Sequence, residues 1–136
     1  MALTATSDIM KGSATQAAND FQADRAERAA QFGELQATLT DTTMRENLNT
    51  TLGNIQAVRA AAGIDPTSPT TAALMDQSSS RSERQREAAV GTLKAQSAED
   101  RASADYLRKA GDFAVTQSYF AAAGDIASGV AKMGKP

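Results

Sequence analysis

The chain contains no cysteine, no histidine and no tryptophan. Without cysteine it has no disulfide framework and no thiolate nucleophile, and without histidine it lacks the imidazole base and a common zinc ligand. Its many serines have no histidine to activate them and no G-x-S-x-G turn to present them. Carboxylates stand beside arginines, as Asp24 does beside Arg25, which is typical of a solvated helix face. The sequence therefore predicts a protein that is not an enzyme and holds no cofactor or metal ion.

Large apolar side chains are also scarce. Leucine, isoleucine, valine and phenylalanine together number 20 of 136 residues, whereas alanine alone numbers 29. Alanine is the best helix former but brings little surface to bury. The net charge is −2 with both signs interspersed, so no basic face for nucleic acid is expected. These features predict an all-α chain that is marginally stable alone and is completed by copies of itself or by a larger partner.

A break near the middle divides the helix-forming sequence into two parts. Gly63 is the residue type that ends helices in the left-handed conformation, and Pro66 follows where a helix cannot continue. Ser68 then reads as an N-cap and Pro69 as the first helical residue. Residues 63–69 are therefore predicted to form a corner between two long helices, which either fold back as a hairpin or run on as a bent rod.

Three further segments complete the predicted organisation. Residues 1–14, rich in threonine, serine and alanine, are expected to form a flexible or partner-ordered arm. Residues 15–62 are predicted to form the first long helix. Residues 70–134 are predicted to form the second, which ends in a small-residue apolar tail.

A stripe of large apolar residues runs along the first half at helical spacing. We expect it to form a helix–helix or oligomer interface made of Phe32, Leu35, Leu39, Leu48, Leu52 and Ile55. An intrachain alternative pairs this stripe with the second half. That half offers only about four large partners, so burial between subunits is favoured; the partners are Leu74, Val90, Leu93 and Leu107.

The tail from Phe113 to Met133 carries only Asp125 and Lys132 as charges. Small residues recur there every four positions, a spacing that lets helix backbones approach closely. Its polar residues make it a poor membrane-spanning helix, so it is predicted to pack on another helix or to touch a lipid surface. The residues assigned to tail packing or membrane contact are Phe113, Ala114, Ser118, Tyr119, Phe120, Ala122, Ile126, Ala127 and Val130.

Several short motifs between Asn54 and Gly134 resemble a known family. They are Ala62-Gly63-Ile64-Asp65 with Ser68 and Leu74, then Ala104-Asp105-Tyr106-Leu107-Arg108, then Ala121-Ala122-Ala123-Gly124. In this order they resemble the internal virion proteins of tailed bacteriophages, in particular the small ejection (internal core) protein of short-tailed phages. Many members begin with an apolar Gly/Ala segment, which residues 1–14 lack.

The resemblance implies a non-enzymatic virion component that is packed in several copies inside the capsid near the portal. It implies contacts with other copies and with portal or further internal proteins. After ejection with the genome, such a protein helps to form a conduit across the host envelope, with transient membrane contact. Two other classes stay open: a helical subunit of a secretion system or filament, and a helical adaptor that binds a partner's groove.

Overall fold

The computed structural model describes residues 2–133, and the side chains of residues 6–127. It contains two helices, α1 (Ala2–Ala61) and α2 (Pro69–Met133), with no strand in the described range. The prediction of an all-α chain with two long helices is confirmed.

Helix α1 begins at Ala2, so residues 2–14 are helical where the sequence predicts a loose arm. Hydroxyl side chains of this segment bond within the helix. The hydroxyl of Ser13 donates to the carbonyl of Ile9 at 3.0 Å, and that of Thr15 donates to the carbonyl of Lys11 at 2.9 Å. These hydroxyls therefore bond back onto the helix rather than drawing the backbone into turns.

The end of α1 has the hydrogen bonds of a Schellman motif. Gly63 has a φ of 72°, its N–H bonds to the carbonyl of Ala60 at 3.0 Å, and the N–H of Ile64 bonds to that of Arg59 at 2.9 Å. A side chain at Gly63 would strain this left-handed backbone, although no neighbouring atom fills the space beside it. The chain leaves α1 at this glycine.

The start of α2 is capped by side chains of the same segment. The backbone N–H of Thr71 bonds to the Ser68 hydroxyl at 3.4 Å, and Pro69 is the first helical residue. Thr71 is fully buried, and its hydroxyl receives the Arg59 Nε–H at 2.9 Å. Because Arg59 belongs to α1, this bond ties the last turn of one helix to the first turn of the next.

Asp65 orders the backbone between the two helices. Its carboxylate accepts the Thr67 N–H at 2.8 Å and the Thr67 hydroxyl at 2.7 Å, an Asx turn. The same hydrogen bonds, first the side-chain one, lower the pKa of Asp65. Pro66 lies between these partners, in the non-helical segment.

The chain forms two compact units. The corner unit comprises residues 31–97, and the terminal unit comprises residues 1–30 with 98–136. Within the corner unit the helices are antiparallel, since Arg59 bonds to Thr71 while Gly33 faces Ser97. Within the terminal unit they are antiparallel as well, since Gly111 lies against Gln16 and Gly12 lies against Ser118.

Candidate interaction surfaces

Small residues line the surface where the two helices meet. Every buried apolar residue among the described side chains is an alanine, and the set is Ala23, Ala30, Ala37, Ala104 and Ala122. The buried polar side chains are those of Thr71, Ser97 and Ser118. Glycine joins them, because a Cβ built on Gly12 would lie only 2.5 Å from the Ser118 Cβ. Such residues let two backbones approach more closely than large side chains permit.

The spacing of these positions is that of a coiled coil. In α2 the buried residues Ser97, Ala104, Gly111 and Ser118 follow one another every seven positions. A seven-residue repeat keeps one face of a helix turned toward its neighbour. The repeat here consists of small residues, so the two helices approach closely but bury little apolar surface. We call this contact surface between the helices of a unit its seam.

Several large apolar side chains of the corner unit are half-buried where its helices meet. Met44, Leu48, Leu52 and Ile55 of α1 are half-buried there, as is Leu93 of α2. The terminal unit also has half-buried large apolar side chains, Ile9, Leu107 and Val115, and in both units the fully buried apolar residues are alanines.

A cluster of charges joins the helices of the corner unit. Asp41 pairs with Arg45 at 2.8 Å in α1 and also with Arg86 of α2, which pairs with Glu83 at 2.6 Å. The hydrogen bond from Arg86 is the main cause that holds the pKa of Asp41 below its usual value, and Arg45 adds to it. Glu83 and then Asp41 raise the pKa of Arg86 above its usual value. Each group thus favours the charged form of its partner.

The terminal unit has its own charged contact between helices. Arg108 of α2 pairs with Glu27 and, at 3.5 Å, with Asp24 of α1. The Glu27 hydrogen bond is the main cause that raises the pKa of Arg108. A second polar contact joins the helices, in which the Gln16 amide donates to the Asp112 carboxylate at 3.2 Å. Polar bonds along the edge and alanines in the centre therefore hold this unit together.

Three aromatic side chains of α2 in the terminal unit point away from its seam. Tyr106, Phe113 and Phe120 are 72%, 67% and 74% exposed and follow one another every seven residues along α2. Each lies two positions after a residue of the buried row, roughly 200° around the helix axis. We name these three residues the outer α2 row.

Helix α1 of the terminal unit also presents an outward face. Met10 and Phe21 are both more than half exposed, and each lies two positions before a buried residue, Gly12 or Ala23. The exposed residues Ala14, Ala17, Arg25 and Arg28 continue the face at steps of three or four. We name the set from Met10 to Arg28 the outer α1 row. The terminal unit therefore has apolar surface on both of its helices, in each case opposite the seam.

The stripe predicted as an interface divides into two groups. Phe32, Leu35 and Leu39 are each more than half exposed, and they lie on the side of α1 away from Ala30 and Ala37. The other three members, Leu48, Leu52 and Ile55, are half-buried beside α2 within the corner unit. The first group is available to a partner, whereas the second already contributes to intrachain packing.

The predicted tail residues divide in the same way. The small residues that face α1 in the terminal unit are Ser118 and Ala122, which are buried, and Ala114, which is half-buried. Those exposed on the surface are Phe113, Tyr119, Phe120, Ile126 and Ala127. The Val130 side chain lies outside the described residues.

Sequence reasoning missed the role of Tyr106 and of Gly12, Gly33 and Gly111. The signal that could have found them is the seven-residue repeat. Aromatic residues at 106, 113 and 120 each follow, by two positions, a small residue at 104, 111 or 118. Two registers of this kind on one helix indicate two contact faces.

The grooves between the helices are open, and one of them is lined by the charge cluster of Asp41, Arg45 and Arg86. The one lined by Met44, Leu48 and Ser78 has Arg81 as its sole ionisable lining residue. No group of three or more carboxylates suited to a metal ion occurs among the described residues. Within the same part of the chain, neither helix combines the length and apolar character that crossing a bilayer demands.

Comparison with known proteins gives no relative: the sequence matches no protein-family model, no curated protein and no solved structure.

Proposed function

We propose that this protein is a structural subunit that works in an assembly of several copies. The carrying observation is the arrangement of side chains in the terminal unit, where alanine, glycine and serine are buried and the aromatic residues are exposed. Soluble monomers rarely expose contiguous apolar patches larger than a few hundred Å². Three aromatic side chains at the exposures of the outer α2 row leave on the order of 400 Å² uncovered, a size comparable to the largest apolar patch of a typical monomer, which is often functional. An assembly that covers this surface gains the apolar burial that the single chain lacks.

We further propose that the assembly belongs to a tailed-phage virion, where the protein lies inside the capsid near the portal and leaves with the genome. The motifs from Ala62 to Gly124 that resemble the small ejection protein support this assignment. The seam of the terminal unit supports it physically. Burial contributes about 0.8 kcal/mol per CH₂, so an alanine seam loses little when its helices separate. A chain of this kind is suited to passing through a narrow channel and packing again.

The first test concerns assembly alone. Multi-angle light scattering of the purified chain, over a range of concentrations, should give a mass of several subunits at the upper end. Phe113→Ser should lower that mass and leave the helical circular dichroism unchanged, since Phe113 is exposed. A matched control is Ala95→Ser, an exposed position of α2 without a large side chain. A strictly monomeric chain at every concentration contradicts the proposal.

The second test concerns the virion. Particles of the phage that encodes this chain, analysed by quantitative mass spectrometry before and after triggered genome release, should contain several copies before release and few afterwards. Absence from intact particles, or full retention in emptied ones, contradicts the ejection role.

A filament subunit is the second candidate, because the terminal unit presents apolar surface on two opposite sides. Two such sides permit open-ended growth as well as ring closure. Electron microscopy of the concentrated protein separates the two: closed particles of one size favour the virion component, and fibres of unlimited length favour the filament.

A further inference from the structure

We propose that the outer α2 row of one copy packs against the outer α1 row of the next copy, with the two helices antiparallel. This inference rests on the proposed function as an assembling subunit and identifies the partner of both surfaces as a second copy of this chain. The contact is heterologous, since each copy offers one face of α1 and a different face of α2. Copies therefore join side by side in a continuing series.

Size complementarity is the first argument. Within the terminal unit, Gly12 lies against Ser118 and Asn19 against Gly111, which defines the antiparallel register of the seam. The same register between copies places Phe113 opposite Ala17 and Phe120 opposite Met10. A large ring then meets a small side chain and a flexible thioether, the large-to-small alternation that interdigitating helices need. The register already present inside the unit thus also fits its outer surfaces.

Charge complementarity is the second argument. The outer α1 row carries two cations, Arg25 and Arg28, and the face of the outer α2 row carries one, Lys109, so the complementarity rests on a single pair at the edge. In the register above, Arg28 lies one helical turn from Asp105, at the edge of the outer α2 row. Helix side chains lean toward the N-terminus of their own helix, so in an antiparallel pair these two lean toward each other. An oppositely charged pair at the edge of an apolar contact sets its register and direction.

Cysteine cross-linking tests the contact directly, because the chain has no cysteine of its own. In the proposed register Ala17 and Thr116 are offset by one helical turn, as Arg28 and Asp105 are, and both are exposed. The double variant Ala17→Cys/Thr116→Cys, oxidised under conditions in which light scattering shows assembly, should give a ladder of covalent multimers on a denaturing gel. The two positions lie on opposite sides of the terminal unit, so a bond within one chain does not compete.

The single variants are the matched controls. Ala17→Cys alone and Thr116→Cys alone should give no covalent multimers, and an equimolar mixture of the two should stop at the dimer. Dimers from either single variant alone would indicate a symmetric contact and overturn the inference. So would an assembled double variant without a ladder, an outcome that leaves the proposed assembly intact. A chain that does not assemble at all contradicts both the proposed assembly and the proposed contact.

A charge exchange supplies an independent test. Arg28→Asp should lower the assembled mass severalfold at a given concentration, and Arg28→Asp/Asp105→Arg should restore most of it. Circular dichroism should show equal helix content in both variants. Equal loss in the single and the double variant would mean that the two residues do not meet, and the proposed register would be wrong.

Discussion

Gly12 is the position at which the close seam of the terminal unit can be tested most sharply. Gly12→Ala adds a methyl group that would lie 2.5 Å from the Ser118 Cβ and 3.2 Å from the Ala114 carbonyl oxygen. Neither atom can move by rotation of a side chain, so the helices themselves have to separate. We expect this substitution to destabilise the terminal unit although alanine is the better helix former.

The magnitude follows from two opposing effects. Replacing glycine by alanine inside a helix contributes about 1 kcal/mol of stability, and overpacking a tight contact costs about 1–3 kcal/mol. Gly91→Ala is the matched control, since nothing lies within 4 Å of a Cβ at Gly91. The helix-propensity gain is common to both variants, so their difference in unfolding free energy equals the overpacking cost, about 1–3 kcal/mol.

Gly33 provides an intermediate case. The nearest atom to its added Cβ is the Ser97 Oγ, whereas the Ser97 Cβ lies 3.6 Å away. Because an Oγ can rotate about the Cα–Cβ bond, Gly33→Ala should fall between Gly12→Ala and Gly91→Ala. The three positions thus predict a ranked series.

Urea unfolding followed by circular dichroism measures this series, at one protein concentration because association adds to apparent stability. Amide hydrogen exchange should locate the loss of protection from Gly12→Ala in residues 6–30 and 98–127. The double variant Gly12→Ala/Ser118→Gly should recover protection, because it removes the opposing Cβ. If Gly12→Ala stabilises the chain as much as Gly91→Ala does, the reasoning about a close backbone approach is refuted.

Three other predictions concern charge, the corner and the tail. A carboxylate whose folded pKa is lowered adds stability above its unfolded pKa, 3.8 for Asp41, and loses it as pH falls through the folded value. Asp41→Asn should therefore lower the melting temperature at neutral pH, and the difference from the unmodified chain should shrink below about pH 3.8. Gly63→Ala should destabilise by about 1–2 kcal/mol in urea unfolding, because φ there is 72°. Ala122→Leu should reduce amide protection in the terminal unit, because Ala122 is 4% exposed, whereas Ala127→Leu at an exposed position should leave protection unchanged.

Each of these has an outcome that contradicts it. A constant gap between Asp41→Asn and the unmodified chain at all pH values would mean that this carboxylate does not titrate with folding. Gly53→Ala is the control for Gly63→Ala, since it has open space and no positive φ, and equal stabilities of the two would argue against the left-handed helix end. Equal protection in the Ala122 and Ala127 variants would remove Ala122 from the seam.

The two helices and the position of the break could be predicted from the sequence because their signals are local. Gly63 and Ser68 act through hydrogen bonds within a few residues, and alanine favours a helix wherever it stands. The helical state of residues 2–14 differs from the flexible or partner-ordered arm that a segment rich in threonine, serine and alanine predicts. Hydroxyls such as that of Ser13 bond to the helix carbonyl four residues back, an option that composition does not reveal.

The inward face of each helix could not be predicted by the usual rule that large apolar residues point inward. Phe32 satisfies that rule in the sequence, yet it is 67% exposed, and its neighbour Ala30 is fully buried. Glycine, alanine and serine gain little from burial individually, but they allow two backbones to pack along their whole contact. Which of the two faces turns inward depends on this collective contact between distant segments.

The presence of both faces on one chain argues for contacts beyond a single molecule. Turning each helix half a turn would bury Phe21 and Phe113, but it would hold the helices farther apart and leave Gly12 and Gly111 against solvent. A lone chain therefore uses one face of each helix and leaves the other exposed, whichever face it selects. In the proposed series of copies, the small-residue face packs within each chain and the large-residue face would pack between chains, so both would be used at once. The exposed outer rows are then the expected property of a subunit whose stable state is the assembly.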